Sequence, residues 1–282
     1  MRNQLIASGD IKPAADYISP YVEWLNDQVL PILTQVIYDA IMITVPLVAW
    51  KIMKKPWGEI GLRPSPNGYR DGITGLLMGA VGISVIFCLL LLSGNATVAS
   101  GIPHVSWNFL WWMLTFVMIA FAEELLNRGF LMSMLRWTKR KIWVMLAPAV
   151  FFGMLHIFNS NFGVIPMINI VLAGLVMGYM YLKTGSLWMC IGFHFTWNVF
   201  QGLIFGMPVS GITVSGLLST EFTGNNIING GGFGIEGGLL STIVLLLTFV
   251  FLAWYFRNSR YDFIEDCVSP RPAHGEKTGS NY

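Results

Sequence analysis

The sequence predicts an all-α, polytopic membrane protein, a helical bundle of about seven transmembrane helices. Of its 282 residues, 54% are hydrophobic and only 11% are charged, whereas a soluble domain of this length carries about 25% charged residues. The mean hydropathy is +0.60. Apolar runs long enough to cross a bilayer recur along the chain, and the loops between them alternate in charge.

A transmembrane helix needs roughly 20 mostly apolar residues. The runs that come closest to this length occupy 30–50, 72–92, 107–135, 142–158, 162–182, 187–205 and 238–256. An eighth membrane segment is expected if 20–30 lies in the interface as an amphipathic helix. The predicted organisation is an extramembrane or interfacial segment 1–29, a transmembrane domain 30–257 with its core at about 107–205, and a cytoplasmic tail 258–282. The tail is expected to be disordered, because its last residues are polar and rich in Pro and Gly.

Lysine and arginine occur in every second loop. They follow the first, third, fifth and seventh spans, whereas the loops 93–106, 159–161 and 206–236 contain none. The positive-inside rule then places the basic loops and the C-terminus in the cytoplasm and the N-terminus outside. Since the basic residues lie in short loops and not on one face, nucleic acid is not an expected partner. The short loops favour the cytoplasmic membrane of a bacterium.

Glycines spaced four apart predict close contacts between helices. The pairs are Gly75/Gly79, Gly174/Gly178 and Gly202/Gly206. A separate glycine-rich stretch, 229–238, carries one carboxylate, Glu236. It is too long for a tight turn, so we expect a structured loop at the mouth of the bundle.

The third span carries three ionised groups, Glu123, Glu124 and Arg128. Charged groups are costly in a bilayer and by default mark a functional site, where they are paired or face a cavity. Residues four apart lie on the same side of a helix. Glu124 is therefore expected to pair with Arg128, and Glu123 to align with Asn127. Because an amide is a weak partner for a carboxylate, Glu123 needs a partner on another helix.

Two further polar pairs follow on the sixth and fourth spans. His194 and Asn198 are four apart and project from one helix face; Phe152 and His156 have the same spacing, with Phe152 as a packing wall for the imidazole. Counting about 1.5 Å per residue places Glu123 and His194 in the inner half of the bilayer and His156 nearer its middle. The groups converge if the fourth helix tilts or begins later than predicted.

The ordered set EELLNR, FGMLH and HFTWN on three helices resembles the CAAX-protease and bacteriocin-processing (CPBP, also called Abi) family of intramembrane endopeptidases. The resemblance covers about 107–198, and GGGFGIEGG is similar to a glycine-rich stretch common in bacterial members. It implies an enzyme that hydrolyses a peptide bond of a membrane-associated protein or peptide. Its partners are then the lipid bilayer and a protein or peptide substrate that enters from the membrane.

The resemblance also implies roles for four residues. Glu123 with His156 activates a water, and His194 with Asn198 donates hydrogen bonds to the oxyanion that forms on the carbonyl. The predicted supporting residues are Glu124, Asn127, Arg128 and Phe152.

Zinc is the alternative cofactor. Glu123, His156 and His194 are acceptable zinc ligands that leave a position open for water. However, the sequence has no HExxH helix, and asparagine is not among the usual zinc ligands. The residues therefore favour a glutamate mechanism without a metal or any other cofactor.

Two other functional classes stay open at this point. A non-catalytic immunity or scaffold protein of the same family would keep the polar network, and a transporter would bind an ion or substrate at mid-membrane, although no internal repeat is found. The sequence lacks GxSG and GxGD protease motifs. Asp39, in the first span, has no assigned partner, and a contact with Arg128 is one expectation.

Overall fold

The chain folds into a bundle of α-helices, which confirms the predicted fold class. The computed structural model describes residues 21–23, 25–65, 67–99 and 107–266. Within these ranges, each of the seven predicted spans overlaps an α-helix of 11 residues or more. The helices are α1 Leu30–Ile52, α2 Tyr69–Leu92, α3 Trp107–Glu124, α4 Lys141–Met154, α5 Val164–Thr184, α6 Trp188–Asn198 and α7 Leu239–Tyr255.

The helices differ in length more than the sequence predicted. Four helical segments are long and apolar enough to cross a membrane by length and composition: Leu30–Ile52, Tyr69–Leu92, Trp107–Thr138 and Val164–Thr184. The remaining helices are shorter: α4 has 14 residues, α6 has 11 and α7 has 17. The fourth span was predicted to reach residue 158, but α4 ends at Met154 and a turn follows it.

Two helices change from α to π geometry along their length. α3 continues as the π-helix Leu125–Met132, then as the short helical turns Ser133–Leu135 and Arg136–Thr138. α6 continues as the π-helix Val199–Ile204. A third π-turn, Leu25–Val29, precedes α1 in the region where an interfacial helix was predicted. π-helices are rare and frequently occur at functional sites.

Glycines allow α2 and α6 to pack in direct contact. A Cβ atom added at Gly75 would lie 2.1 Å from the carbonyl oxygen of Met189, and one added at Gly79 would lie 2.3 Å from that of Phe193. Gly192, on α6, approaches α2 in the same way. The predicted helix contact at Gly75/Gly79 is therefore confirmed, and it fixes the position of α6 in the bundle.

The other two glycine pairs have different neighbours. Gly174 brings α5 close to Ala149 of α4, where an added Cβ would meet the Ala149 Cα at 3.0 Å. Gly178 has ordinary space, since the nearest atom would be 3.8 Å away. Gly202 and Gly206 pack against the loop that follows α6, but Gly202 also meets α3, where an added Cβ would lie 3.3 Å from the Phe116 ring. The predicted helix contact is therefore found at Gly202, whereas the nearest atoms to Gly206 belong to the loop residues Leu218 and Ser219.

The loop 205–238, which joins the π-helix after α6 to α7, covers one end of the bundle, and we call it the covering loop. Two short strands, β1 Ala96–Val98 and β2 Thr220–Phe222, pair antiparallel with Ala96 opposite Phe222. The glycine-rich stretch forms two 3-10 turns, Gly231–Phe233 and Ile235–Gly237. The structured loop predicted at 229–238 is thus present.

The C-terminal segment packs against the opposite end of the bundle. Phe263 is fully buried against Tyr181, with ring centroids 5.0 Å apart, and the Arg136 guanidinium lies 4.7 Å from the Phe263 ring. Lys141 Nζ donates to Asp262 at 2.6 Å, and this bond lowers the pKa of Asp262. The prediction of disorder from residue 258 is therefore wrong for 258–266. The rest of the predicted tail, 267–282, and the predicted segment 1–20 lie outside the described residues.

Candidate active site

The structure brings the four predicted catalytic residues to one cavity of about 120 Å³. Glu123 comes from α3, His156 from the turn after α4, and His194 and Asn198 from α6. Glu123, His194 and Asn198 are all less than one-tenth exposed. The predicted convergence of three segments is confirmed, although His156 lies just beyond its helix and not within it.

Arg128 is held from three helices. Its Nη1 donates to Glu124 Oε1 at 2.8 Å, which confirms the predicted ion pair within the helix. Its Nη2 donates to the Gly174 carbonyl oxygen on α5 at 3.1 Å. The guanidinium also lies 4.8 Å from the ring of Phe152 on α4. Both charged side chains are almost fully buried, so Arg128 ties the site helices together.

His194 lies between the two carboxylates of α3. Its Nδ1 is 3.0 Å from Glu124 Oε1, and its Nε2 is 3.7 Å from Glu123 Oε2. An ionised Glu124 only accepts hydrogen bonds, so Nδ1 carries the proton and Nε2 is directed toward Glu123. The cross-helix partner predicted for Glu123 is thus His194. The contact of Glu124 with His194 was not predicted.

His156 is oriented by Phe152 through both backbone and ring. Its Nδ1 lies 2.9 Å from the Phe152 carbonyl oxygen, and the two rings meet edge to face at 5.0 Å and 70°. Phe152 also meets the His194 ring, at 6.1 Å and 86°. The predicted role of Phe152 as a packing wall is confirmed for His156, and its contact with His194 was not predicted. Since a carbonyl can only accept, Nδ1 donates and Nε2 of the neutral ring is an acceptor.

The change to π geometry begins directly after site residues on both helices. It follows Glu124 on α3 and Asn198 on α6. Asn127, in the first π turn, donates its side-chain amide to the backbone carbonyl of Glu123 at 2.9 Å. Asn127 therefore supports the backbone at this transition and does not pair with the Glu123 carboxylate.

The covering loop adds polar groups that motif reasoning did not place in the site. Ser210 and Glu236 line the cavity, and Glu236 Oε2 accepts hydrogen bonds from the Ser210 amide at 2.6 Å and hydroxyl at 2.8 Å. Asn159, in the turn after α4, donates to the Ser210 carbonyl at 2.9 Å. On α5, Asn169 donates to the Glu236 carbonyl at 2.8 Å. The lone carboxylate in the glycine-rich stretch was the sequence signal for this part of the site.

Asp39 is fully buried beside the cavity. Gln35, which lines the cavity, donates to Asp39 Oδ1 at 2.9 Å. Glu123 and His194 are close enough to act electrostatically on Asp39. The suggested contact with Arg128 is wrong, because Arg128 has its partners on α3, α4 and α5.

Several buried carboxylate oxygens in and beside the site have no protein hydrogen-bond donor. In the described part of the chain they include Asp39 Oδ2, Glu123 Oε2 and Glu124 Oε2. A buried polar atom without a partner is costly. Water or a substrate in the cavity would supply a donor to Glu123, which lines it.

The three predicted zinc ligands, Glu123, His156 and His194, all line the cavity. Among the described residues, no three His, Cys, Asp or Glu side chains lie close enough together to hold a metal ion. Glu123 and His194 approach each other to 3.7 Å. In the described part of the chain, no ion-pair contact joins His156 to Glu123.

The fold and the site together define an integral membrane helical protein whose cavity carries carboxylate, imidazole and amide groups. Residues 106–200 match the sequence model of a family described as "Type II CAAX prenyl endopeptidase Rce1-like". This segment runs from α3 to α6 and contains every predicted catalytic residue. The resemblance seen in the motifs is confirmed at this level: the motif-bearing segment 106–200 is Rce1-like, which is consistent with the CPBP/CAAX-protease family. Comparisons with curated proteins and with solved structures give no significant match.

Proposed function

We propose that the protein is an intramembrane endopeptidase that hydrolyses a peptide bond of a membrane-associated protein or peptide. The observation that carries this proposal is the meeting of Glu123, His156, His194 and Asn198 around one cavity. The Rce1-like segment supports the same reaction class. No metal takes part in the mechanism proposed below, with zinc as the alternative.

The nucleophile is a water held between Glu123 and His156. The Glu123 Oε2 atom needs a donor, and the Nδ1 bond of His156 to the Phe152 carbonyl leaves Nε2 able to accept a proton. The water gives up a proton to these groups and its oxygen bonds to the carbonyl carbon. The same proton then goes to the amide nitrogen, the C–N bond breaks, and an acid and an amine are released.

His194 and Asn198 stabilise the negative charge that develops on the carbonyl oxygen. The His194 Nδ1–H points to Glu124, so His194 can donate to an oxyanion through Nε2 only when the ring is an imidazolium. Glu124 beside Nδ1 and Glu123 beside Nε2 favour that charged form electrostatically. The Asn198 amide supplies a second donor from the next turn of α6. Such preorganised donors are usually the largest single contribution to acyl-transfer catalysis.

The supporting residues hold these groups in place. Glu124 fixes the ring orientation of His194, and Arg128 fixes Glu124. Phe152 orients both imidazoles. Rigid support of this kind matters because a displacement of about 1 Å can lower a rate by a factor of about 100.

The test compares membrane proteomes of cells that express the wild type with cells that express Glu123→Gln, His156→Ala or His194→Ala. We expect peptide termini present with the wild type to disappear with each variant. Glu221→Gln is the matched control, because Glu221 is an exposed carboxylate on β2 outside the cavity. Termini that persist with one variant remove that residue from the mechanism. If they persist with all three, the non-catalytic alternative is favoured.

A further inference from the structure

The basic residues of the described chain gather at one end of the bundle. Arg63 donates to the Tyr261 hydroxyl at 2.5 Å, Lys141 pairs with Asp262 at 2.6 Å, and Ser186 donates to the Arg63 carbonyl at 2.9 Å. These contacts join the loops that follow α1, α3, α5 and α7. We call this the basic end; it comprises 51–70, 136–141, 183–187 and 257–266. Between residues 30 and 266, the only Lys or Arg outside it is the buried Arg128.

The cavity begins under the covering loop at the other end of the bundle and extends inward to Glu123 and His194, the two residues that the count along the helices placed in the inner half of the bilayer. Ser210, Ile212 and Glu236 line it from the covering loop, and His156 and Asn159 line it from the turn after α4. The cavity residues on α1, Gln35 and Tyr38, lie near the start of that helix, whereas the basic loop follows its end. Those on α7, Ser241 and Leu245, also lie at the helix start.

This arrangement indicates the side of the membrane to which the cavity opens. Basic loops are retained in the cytoplasm, which is the strongest sequence determinant of orientation. The covering loop and the turn after α4 contain no Lys or Arg, so nothing in their charge opposes translocation. The basic end is then cytoplasmic, and the covering loop with the cavity beneath it is on the opposite side.

We propose that the cavity faces the extracytoplasmic side of the membrane, and that its substrate is a peptide segment displayed there. Such a substrate is an exported peptide or the outer part of a membrane protein. The choice of substrate rests on the proposed function, but the orientation of the cavity does not. A prenylated C-terminus, which is made in the cytoplasm, lies on the wrong side for this cavity.

Orientation is tested by thiol labelling of the full chain in intact cells. The three native cysteines, Cys88, Cys190 and Cys267, are first replaced by alanine. Single cysteines are then introduced by Glu221→Cys on exposed β2 and Lys51→Cys at the exposed end of α1. We expect a membrane-impermeant maleimide to label Glu221→Cys in intact cells and Lys51→Cys only after permeabilisation. The reverse pattern, or equal labelling of both in intact cells, overturns the orientation.

A second experiment tests on which side of the membrane the substrate is cleaved. It places the same cleavable segment on either side. A segment identified by the proteomic comparison is fused either outside or inside a single membrane anchor and expressed with the protein. We expect cleavage of the outer fusion only, whereas both fusions should be cleaved in detergent, where no sides exist. Cleavage of the inner fusion in cells overturns the substrate proposal. Absence of cleavage in detergent contradicts the proposed function and leaves the labelling result standing.

Discussion

The Nδ1 atom of His194 lies 3.0 Å from Oε1 of Glu124, the oxygen that also accepts the Arg128 guanidinium. The second carboxylate of the EExxxR motif is therefore shared between a helix-local cation and an imidazole 70 residues further along the chain. The two adjacent glutamates therefore have different partners. Glu124 orients His194, while Glu123 stays available to the cavity.

Removing the charge of Glu124 should affect both stability and cleavage. Glu124→Gln leaves Arg128 buried without its carboxylate, and breaking a buried ion pair costs about 3–5 kcal/mol. We expect a clear fall in Tm, measured by thermal denaturation in detergent, together with a loss of cleavage.

The double variant Glu124→Gln/Arg128→Met separates the two effects. With both buried charges gone, we expect much of the Tm to return. Cleavage should stay low, because His194 still lacks the carboxylate that favours its charged form. A double variant with wild-type kcat would show that Glu124 serves only the ion pair.

The Asn198 side chain should contribute to catalysis and little to stability. Loss of one oxyanion donor typically lowers kcat by about a hundredfold or more. For Asn198→Ala we expect a fall of that order in kcat with a nearly unchanged KM and Tm, since Asn198 borders the cavity. If KM rises while kcat is preserved, Asn198 binds substrate and does not stabilise the oxyanion.

The sequence predicted the parts of the site that depend on local spacing. The Glu124–Arg128 pair and the Phe152–His156 contact both join residues four apart, and both are present. The contact of Glu124 with His194 could not be predicted from local spacing, because it depends on how α3 and α6 pack together. Asn127 lies four residues after Glu123 as predicted, and its amide donates to the Glu123 backbone carbonyl and not to the carboxylate.

At the level of the fold, the apolar runs located all seven of the helices α1 to α7 in the described residues but overestimated the lengths of α4 and α6. A turn at Leu155–Phe158 and the π segment after Asn198 are apolar in composition, so hydropathy alone did not separate them from the helices. The disorder predicted from residue 258 failed for a similar reason. Aromatic residues such as Phe263 find partners only in the assembled basic end.

Chelation decides between the two proposed chemistries. The metal-free mechanism predicts that cleavage survives exhaustive chelation in detergent. The measurement is the initial cleavage rate before and after chelator treatment, with metal content followed in parallel. Loss of cleavage that added zinc restores would instead establish the zinc alternative.

The packing of α2 on α6 should tolerate no side chain at Gly75. Gly75→Ala places a methyl group against the Met189 carbonyl, at 2.1 Å without relaxation, and overpacking typically costs about 1–3 kcal/mol. We expect a lower Tm and, because α6 carries His194 and Asn198, reduced cleavage. Gly178→Ala is the matched control, since it is also a buried helical glycine but has ordinary space around it.

The docked C-terminal segment should contribute to stability without entering the chemistry. Phe263→Ala removes a fully buried ring, and such changes cost about 3–5 kcal/mol. We expect a clear fall in Tm, while kcat per folded molecule stays at the wild-type value because the cavity lies at the other end of the bundle. Phe158→Ala is the matched control, since Phe158 is 92% exposed and its removal should leave Tm nearly unchanged. Equal Tm values for the two variants would contradict docking of 258–266 against the helices.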